Sequence, residues 1–255
     1  MPPSIVAPPN ATSDLMENID PSALKRAAAQ RALDFVENGM KLGLGTGSTA
    51  EAFLDALAAR VRNGLSVHCA ATSERTAEKA RALSIPITDL DSLAPLDLVI
   101  DGADEADRTL TLIKGGGGAL LREKIVAASA KRMIVVADAS KLVDKLGRFP
   151  LPIEVVKFGH ATTAARIERA TGDLGYAGRP LVLRQRDGAP FLTDSGNFIY
   201  DAHFGEIANA QQLAQALSVV SGVVEHGLFV GIAEKLVVAY EDRVEIIERP
   251  HVAKI

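Results

Sequence analysis

Apolar and polar positions along this chain alternate between short extended runs and longer amphipathic stretches. Leu24, Ala27, Ala28, Ala32, Phe35 and Val36 recur at helical spacing behind Asp20-Pro21-Ser22, where Asp20 reads as an N-cap and Pro21 as the first helical residue. A short strand over Lys41–Leu44 passes into a glycine- and hydroxyl-rich turn, and Ala50 to Val61 again has a helical pattern. Leu65–Ala71, Leu96–Ile100 and the run Met133–Ala137 read as further strands, with a helix to Leu83 and another after the glycines at 115–118. Behind those glycines, Leu121, Ile125 and Ala128 share one helical face, and Glu123 points away from it, with Val126 and Ala127 nearest in projection. It is either an exposed surface acid or, if those neighbours line a pocket, a carboxyl whose pKa desolvation raises. Strands alternating with helices imply a parallel, right-handed α/β sheet, Rossmann-like and open.

The pattern changes near Gly147. Arg148-Phe149-Pro150-Leu151-Pro152 reads as a rigid link. Strand-like runs at Ile153–Phe158, Pro180–Gln185, Phe198–Asp201 and Val223–Phe229 interleave with helical runs at Thr162–Thr171 and Gln211–Val220. That order resembles a split βαβ unit, ferredoxin-like. Residues 147–225 are therefore expected to form a smaller α+β domain, and 21–146 with 226–255 an α/β catalytic domain. A hairpin over Leu236–Tyr240 and Val244–Ile247 is expected to rejoin the larger one. Residues 1–20, with four prolines and little periodicity, read as a poorly ordered extension. The glycosylation-type triplet Asn10-Ala11-Thr12 within it is expected to be chance.

Composition removes several function classes. A net charge of −4 without a basic cluster argues against nucleic acid, and the absence of Trp argues against a base-stacking surface. No apolar run reaches a membrane span, and no secretion signal is expected. Cys69 is the single cysteine and reads as a small buried hydrophobe. The cytoplasm suits all of this. The five histidines have no ligand spacing, so no metal site is expected.

The chemistry concentrates in 101–124, DGADEADRTLTLIKGGGGALLREK. Asp101 and Asp104 bracket Gly102 and Ala103, with Glu105 beside them; Lys114 leads into Gly115, Gly116, Gly117 and Gly118; Glu123 follows near a helix start. A run of amides leading into a helix is an anion site. Carboxylate, cation and oriented amides together suit proton transfer next to a carbonyl. Each piece alone fits a plain turn, a flexible loop or a solvated pair; their density in one segment favours a site. Upstream, Gly43 and Gly45 begin a dinucleotide fingerprint that Ser48 breaks, so a monophosphate is favoured, with Thr46, Ser48 and Thr49 as hydroxyl donors. Thr72-Ser73, Asp101 and the run from Asp138 to Lys141 also lie beyond strand ends, where ligands bind in open α/β sheets. Thr72-Ser73 fits an ordinary N-cap equally well, and Lys25 alone reads as a surface lysine.

Taken together, GLGTGST at Gly43–Thr49, DGADE at Asp101–Glu105, KGGGGALLREK at Lys114–Lys124 and ADASKLVDKLGRFPLPIEV at Ala137–Val155 resemble the type A ribose-5-phosphate isomerase family, from about Ser22 to the C-terminus. The resemblance implies aldose–ketose isomerisation of D-ribose 5-phosphate and D-ribulose 5-phosphate with no cofactor and no metal. It implies Glu123 as general base, with Asp101, Asp104 and Lys114 acting beside it. It implies that Gly115, Gly116 and Gly117 steady the enediolate. Lys25 with Gly45, Thr46, Gly47, Ser48 and Thr49 would hold the phosphate, and Gly102, Ala103 and Lys141 would border the substrate. It also implies a homodimer or homotetramer. Two other classes stay open: a sugar-phosphate sensor on a similar sheet, and a coenzyme A transferase with a nucleophilic glutamate.

Overall fold

The computed structural model describes residues 20–249. The expectations for the N-terminal extension and for Asn10, and the position of His251, lie outside them.

The main sheet has six strands. In spatial order they are His68–Ala71, Lys41–Leu44, Leu98–Gly102, Met133–Asp138, Lys235–Ala239 and Val244–Glu248. The first five are parallel, and the last pairs antiparallel as the expected hairpin. Successive side chains point to opposite faces, and the central strands are apolar at nearly every position, so the sheet is covered on both. Leu98, Ile100, Ile134, Val136 and Val237 face a core with Leu33, Phe53, Leu54 and Leu57 from the helices Pro21–Ala32 and Ser48–Arg62 and the turn between them. Val99, Met133, Val135, Leu236 and Val238 face a second core containing Val126 and Phe229. Each such side chain removed from water contributes about 1.5–3 kcal/mol. Asp20 caps the first helix through Ser22 N–H at 2.9 Å, with Pro21 at its start, as its sequence implies.

The chain runs from Lys41–Leu44 outward to His68–Ala71, then crosses back to Leu98–Gly102 on the other side. The crevice beyond the carboxyl ends of Lys41–Leu44 and Leu98–Gly102 is thus a topological switch point. Gly45–Thr49 and Gly102–Asp104 are the segments that leave the sheet there.

A second sheet has the order Val223–His226, Leu151–Val155, Phe198–Ala202, Leu181–Leu183, all antiparallel. In chain order this is 4-1-3-2, the split βαβ arrangement, backed by His160–Thr171 and Ala210–Ser218 around Ile153, Ile167, Leu213 and Leu217. The Asp187-Gly188 signal turns a small hairpin, with both residues at positive φ (+54° and +79°).

Three expectations need correcting. Leu151 and Pro152 belong to a strand, opposite Ala202 and Asp201, not to a link. Pro152 carries no N–H but its carbonyl accepts Gly227 N–H at 2.8 Å, so the ladder loses only a donor. The extended run Val223–Phe229 divides: Leu228–Phe229 joins a third, unforeseen sheet with Leu112–Ile113 and Glu105–Ala106. Finally, the helix Leu120–Ala128 buries Leu120, Glu123, Val126 and Ala127, while Ile125 is 47% exposed. The face turned inward is therefore the one that carries Glu123 with Val126 and Ala127, and not the Leu121, Ile125, Ala128 stripe.

Candidate active site

Burial of charge marks the place. Asp101, Lys114 and Glu123 are 0%, 2% and 4% exposed. Lys114 Nζ lies 3.0 Å from Asp101 Oδ2 and 3.4 Å from Glu123 Oε1, and donates to the Gly102 carbonyl at 2.6 Å. Three separate elements supply them: the end of a main-sheet strand, the segment after Leu112–Ile113, and the helix behind the glycines. Two ammonium groups lie over the ring of Phe229, Lys114 Nζ at 5.5 Å and Lys124 Nζ at 4.9 Å from its centre.

Asp101 sits behind Lys114 and fixes backbone. Its Oδ1 accepts the amides of Thr46 at 3.0 Å and Gly102 at 2.7 Å. The strand ends are thereby tied together. A Cβ on Gly45 would stand 2.0 Å from Asp101 Oδ1 and 2.5 Å from its Cα, so no side chain fits at 45. Asp104 Oδ2 accepts the Gly116 amide at 2.7 Å and holds the glycine run against the strand end.

Burial drives Glu123 upward, to about 8; the Lys114 cation opposes this, and Asp101 and Asp104 reinforce it. Asp101 is raised as well, by burial against the pull of Lys114. Burial pushes Lys114 down, but the carboxylates of Asp101, Glu123 and Asp104 overcome it and leave it raised. Glu123 Oε2 has no hydrogen-bond partner among the described residues. An unmade buried acceptor costs about 1–3 kcal/mol, so this oxygen is poised for something that arrives from outside.

One cleft gathers Thr46, Gly47, Ser48, Thr49, Gly102, Ala103, Asp104, Lys114, Gly115, Gly116, Gly117, Glu123 and Lys141. Of the residues expected from sequence, Gly45 and Asp101 lie behind this wall. Lys25 is half-buried on the first helix and is not among the lining residues. At the cleft's far end Gly47, at φ +105°, begins the helix Ser48–Arg62, whose first-turn amides have no side-chain cap. An uncapped helix start of this kind suits an anion. The Thr46 hydroxyl turns away from it, toward Thr72, Ser73 and Thr76 at 2.7, 2.8 and 3.1 Å. Ser73 caps its own helix through Thr76 N–H at 3.1 Å. Glu105, next to the acids in sequence, faces the other way and holds the amides of Gly147 and Phe149 at 2.7 Å each. A roomier hollow of about 480 Å³ between Ala70 and Ile125 gathers no buried titratable group.

Sequence reasoning missed Arg184. It comes from the edge of the second sheet and donates to the carbonyls of Gly115 and Gly116 at 2.8 and 3.3 Å. An arginine in the one-residue gap between the short strands Leu181–Leu183 and Gln185–Arg186 carries no local signal of that contact.

The switch-point cleft thus joins an uncapped helix start, suited to an anion, to a buried carboxylate with one unpartnered oxygen, a combination found in α/β enzymes that act on phosphorylated substrates. Comparison with known proteins gives the family. The family model for ribose 5-phosphate isomerase A (phosphoriboisomerase A) matches residues 68–243. The ribose-5-phosphate isomerase A of Nitrobacter hamburgensis is 55% identical over 227 residues, covering 89% of this chain and 98% of that protein. The ribose 5-phosphate isomerase structure from Plasmodium falciparum superposes with a TM-score of 0.85 at 36% identity, covering 90% of this chain and 100% of that one. A D-ribose-5-phosphate isomerase in complex with phospho-erythronic acid superposes with a TM-score of 0.84 at 35% identity, covering 91% and 100%. The chain belongs to the ribose 5-phosphate isomerase A family.

Proposed function

We propose that the cleft interconverts D-ribose 5-phosphate and D-ribulose 5-phosphate by moving one proton between C1 and C2 through an enediolate. The observation that carries this reading is Glu123: a buried carboxylate of raised pKa, unpaired at Oε2, in the same cleft as the Gly115–Gly117 backbone. The Glu123 carboxylate takes the C2 proton of the open-chain aldose. The electron pair passes to the C1 carbonyl oxygen. Glu123 returns the proton to C1 while the O2 proton passes to O1, giving the ketose. Lys114 and the free Gly117 amide meet the oxygen that gains charge, where one well-placed donor contributes on the order of 10²–10³ in rate. Asp104 steadies a sugar hydroxyl and aids ring opening; Asp101 acts through Lys114.

The phosphate sits at Gly47–Thr49, at the uncapped helix start, with Lys141 lining the same cleft; Lys25, outside that lining, is carried as a phosphate ligand by the family resemblance alone. Binding at that remote group orients the reacting carbons. The match to an isomerase bound to phospho-erythronic acid, a sugar-acid phosphate, supports this ligand class.

A coupled assay for ribulose 5-phosphate formed from ribose 5-phosphate, run with a chelator present, tests the reading. Turnover is expected. A folded protein that is inert in that assay, yet forms a hydroxylamine-trappable thioester from an acyl-coenzyme A, overturns it in favour of a transferase. The same reading carries a homodimer or homotetramer, and sedimentation equilibrium showing only monomer at micromolar concentration would remove that part.

A further inference from the structure

We infer that Arg184, anchored by Asp201, is a positioning residue that sets the peptide planes of the glycine run and so presents the Gly117 amide to the cleft. The inference rests on the isomerase reading of that cleft.

Four successive glycines have no side chains to hold their φ and ψ, so left alone the run samples many orientations. In a trans peptide the carbonyl and the following N–H point in opposite directions. Whatever holds the carbonyls therefore directs the amides. Arg184 Nη1 donates to Gly115 O at 2.8 Å, an oxygen that also accepts Gly118 N–H at 3.0 Å. The Gly116 N–H is thereby sent the other way, onto Asp104 Oδ2 at 2.7 Å. The same Nη1 reaches Gly116 O at 3.3 Å. That turns the Gly117 N–H away from the arginine, and among the described residues it has no acceptor. It is an amide left for the substrate.

The guanidinium is itself fixed. Its Nε and Nη2 make a two-pronged pair with Asp201, at 2.9 and 2.5 Å. Only 14% of the Arg184 side chain is exposed. The backbone is pinned on both sides, Arg184 N–H to Ile199 O at 2.8 Å and Phe191 N–H to Arg184 O at 2.9 Å. Such paired, charge-assisted bonds are directional as well as strong. A cation at the carbonyl end of a peptide also polarises it, making the opposite N–H a better donor. Arg184 thus serves the reaction without touching substrate.

The test uses the full chain as Arg184→Met, Arg184→Lys and Asp201→Asn, with Glu123→Gln in parallel. For Arg184→Met, kcat is expected to fall about 10²-fold, the scale for losing one aligned donor, while KM stays within threefold. Affinity for phospho-erythronic acid, a sugar-acid phosphate whose carboxylate offers oxygens of the same charge as an enediolate, should drop about tenfold. Affinity for inorganic phosphate should not change. Arg184→Lys keeps the charge but not the fork and should remain impaired; Asp201→Asn should lose kcat in the same direction, and these two variants carry the test if Arg184→Met does not fold. Parental kcat in Arg184→Met, or full rescue by lysine, overturns the inference. So does a loss of kcat that only tracks a lowered urea midpoint, with both affinities falling together. If Glu123→Gln also turns over normally, it is the isomerase reading that has failed; if Glu123→Gln is inert while the Arg184 variants are not, only the positioning role is lost.

Discussion

Glu123→Gln is expected to lower kcat by about 10²–10⁴, the usual contribution of a positioned base, and to bind a sugar-phosphate analogue within a few-fold of the parent. Glutamine keeps the shape but cannot accept the proton. The pH dependence carries a second signature. Burial first, then Asp101 and Asp104, lift the Glu123 carboxyl from its ordinary 4.5 to about 8 against the pull of Lys114. The base form is needed for proton abstraction, so kcat/KM should climb with pH and level off above about 8. Stability runs the opposite way. A carboxyl whose pKa is raised on folding binds a proton more tightly in the folded state. Its contribution is complete below pH 4.5 and is lost as pH rises through about 8. The parent should therefore gain activity and lose stability over the same interval; the glutamine variant should lack the first slope and show a shallower second one, since Asp101 is also raised by burial. Urea midpoints and initial rates measured from pH 5 to 9 decide it. Parental turnover in the variant would take the proton transfer away from Glu123.

Lys114→Met should be the most damaging single change to fold and reaction together. The ammonium is 2% exposed and stands within 3.4 Å of two carboxylates that are themselves buried. Removing one member of a buried charged set leaves the others uncompensated, at a cost of about 3–5 kcal/mol. Turnover should fall by a further factor on the order of 10²–10³ through the lost stabilisation of the developing oxyanion. The cause can be separated from simple loss of packing. Without the cation, Asp101 and Glu123 prefer the protonated form still more strongly in the folded state. The deficit relative to the parent should then shrink as the solution is acidified. Urea denaturation at pH 5 and pH 8 measures this; a loss of equal size at both values would mean that shape, not charge, was at stake.

Much of the architecture is legible because burial on both faces writes itself into the strands. Met133–Ala137 is apolar without interruption, and the neighbouring helices have the 3.6-residue spacing that matches it. The capping residues Asp20 and Ser73 announce their helices by the local chemistry of a free N–H. What was not legible depends on partners far along the chain. Strands of two residues, such as Glu105–Ala106 and Leu112–Ile113, are too short to show a period. The inward turn of Glu123 breaks the amphipathic pattern of its helix, so a stripe drawn through apolar residues falls on the wrong side. Its burial follows from Lys114 and Asp101 waiting there, which helix periodicity does not contain. The opposite aims of Asp104 and Glu105 could not be read from adjacency either; one turns to the glycine run, the other to Gly147 and Phe149. Arg184 lies 69 positions from the carbonyl it holds most closely.

Much of the hydrogen bonding offered by this cleft comes from main chain: the start of the helix at Ser48 and the run ending at Gly117. Side-chain replacement leaves a peptide N–H in its place. A survey that truncates residues one at a time would consequently score these stretches by crowding or added stiffness alone, and would undervalue the part that meets the negative charge. Exchanging a single amide for an ester at 117, which deletes the donor and keeps the contour, is the kind of edit that would expose it.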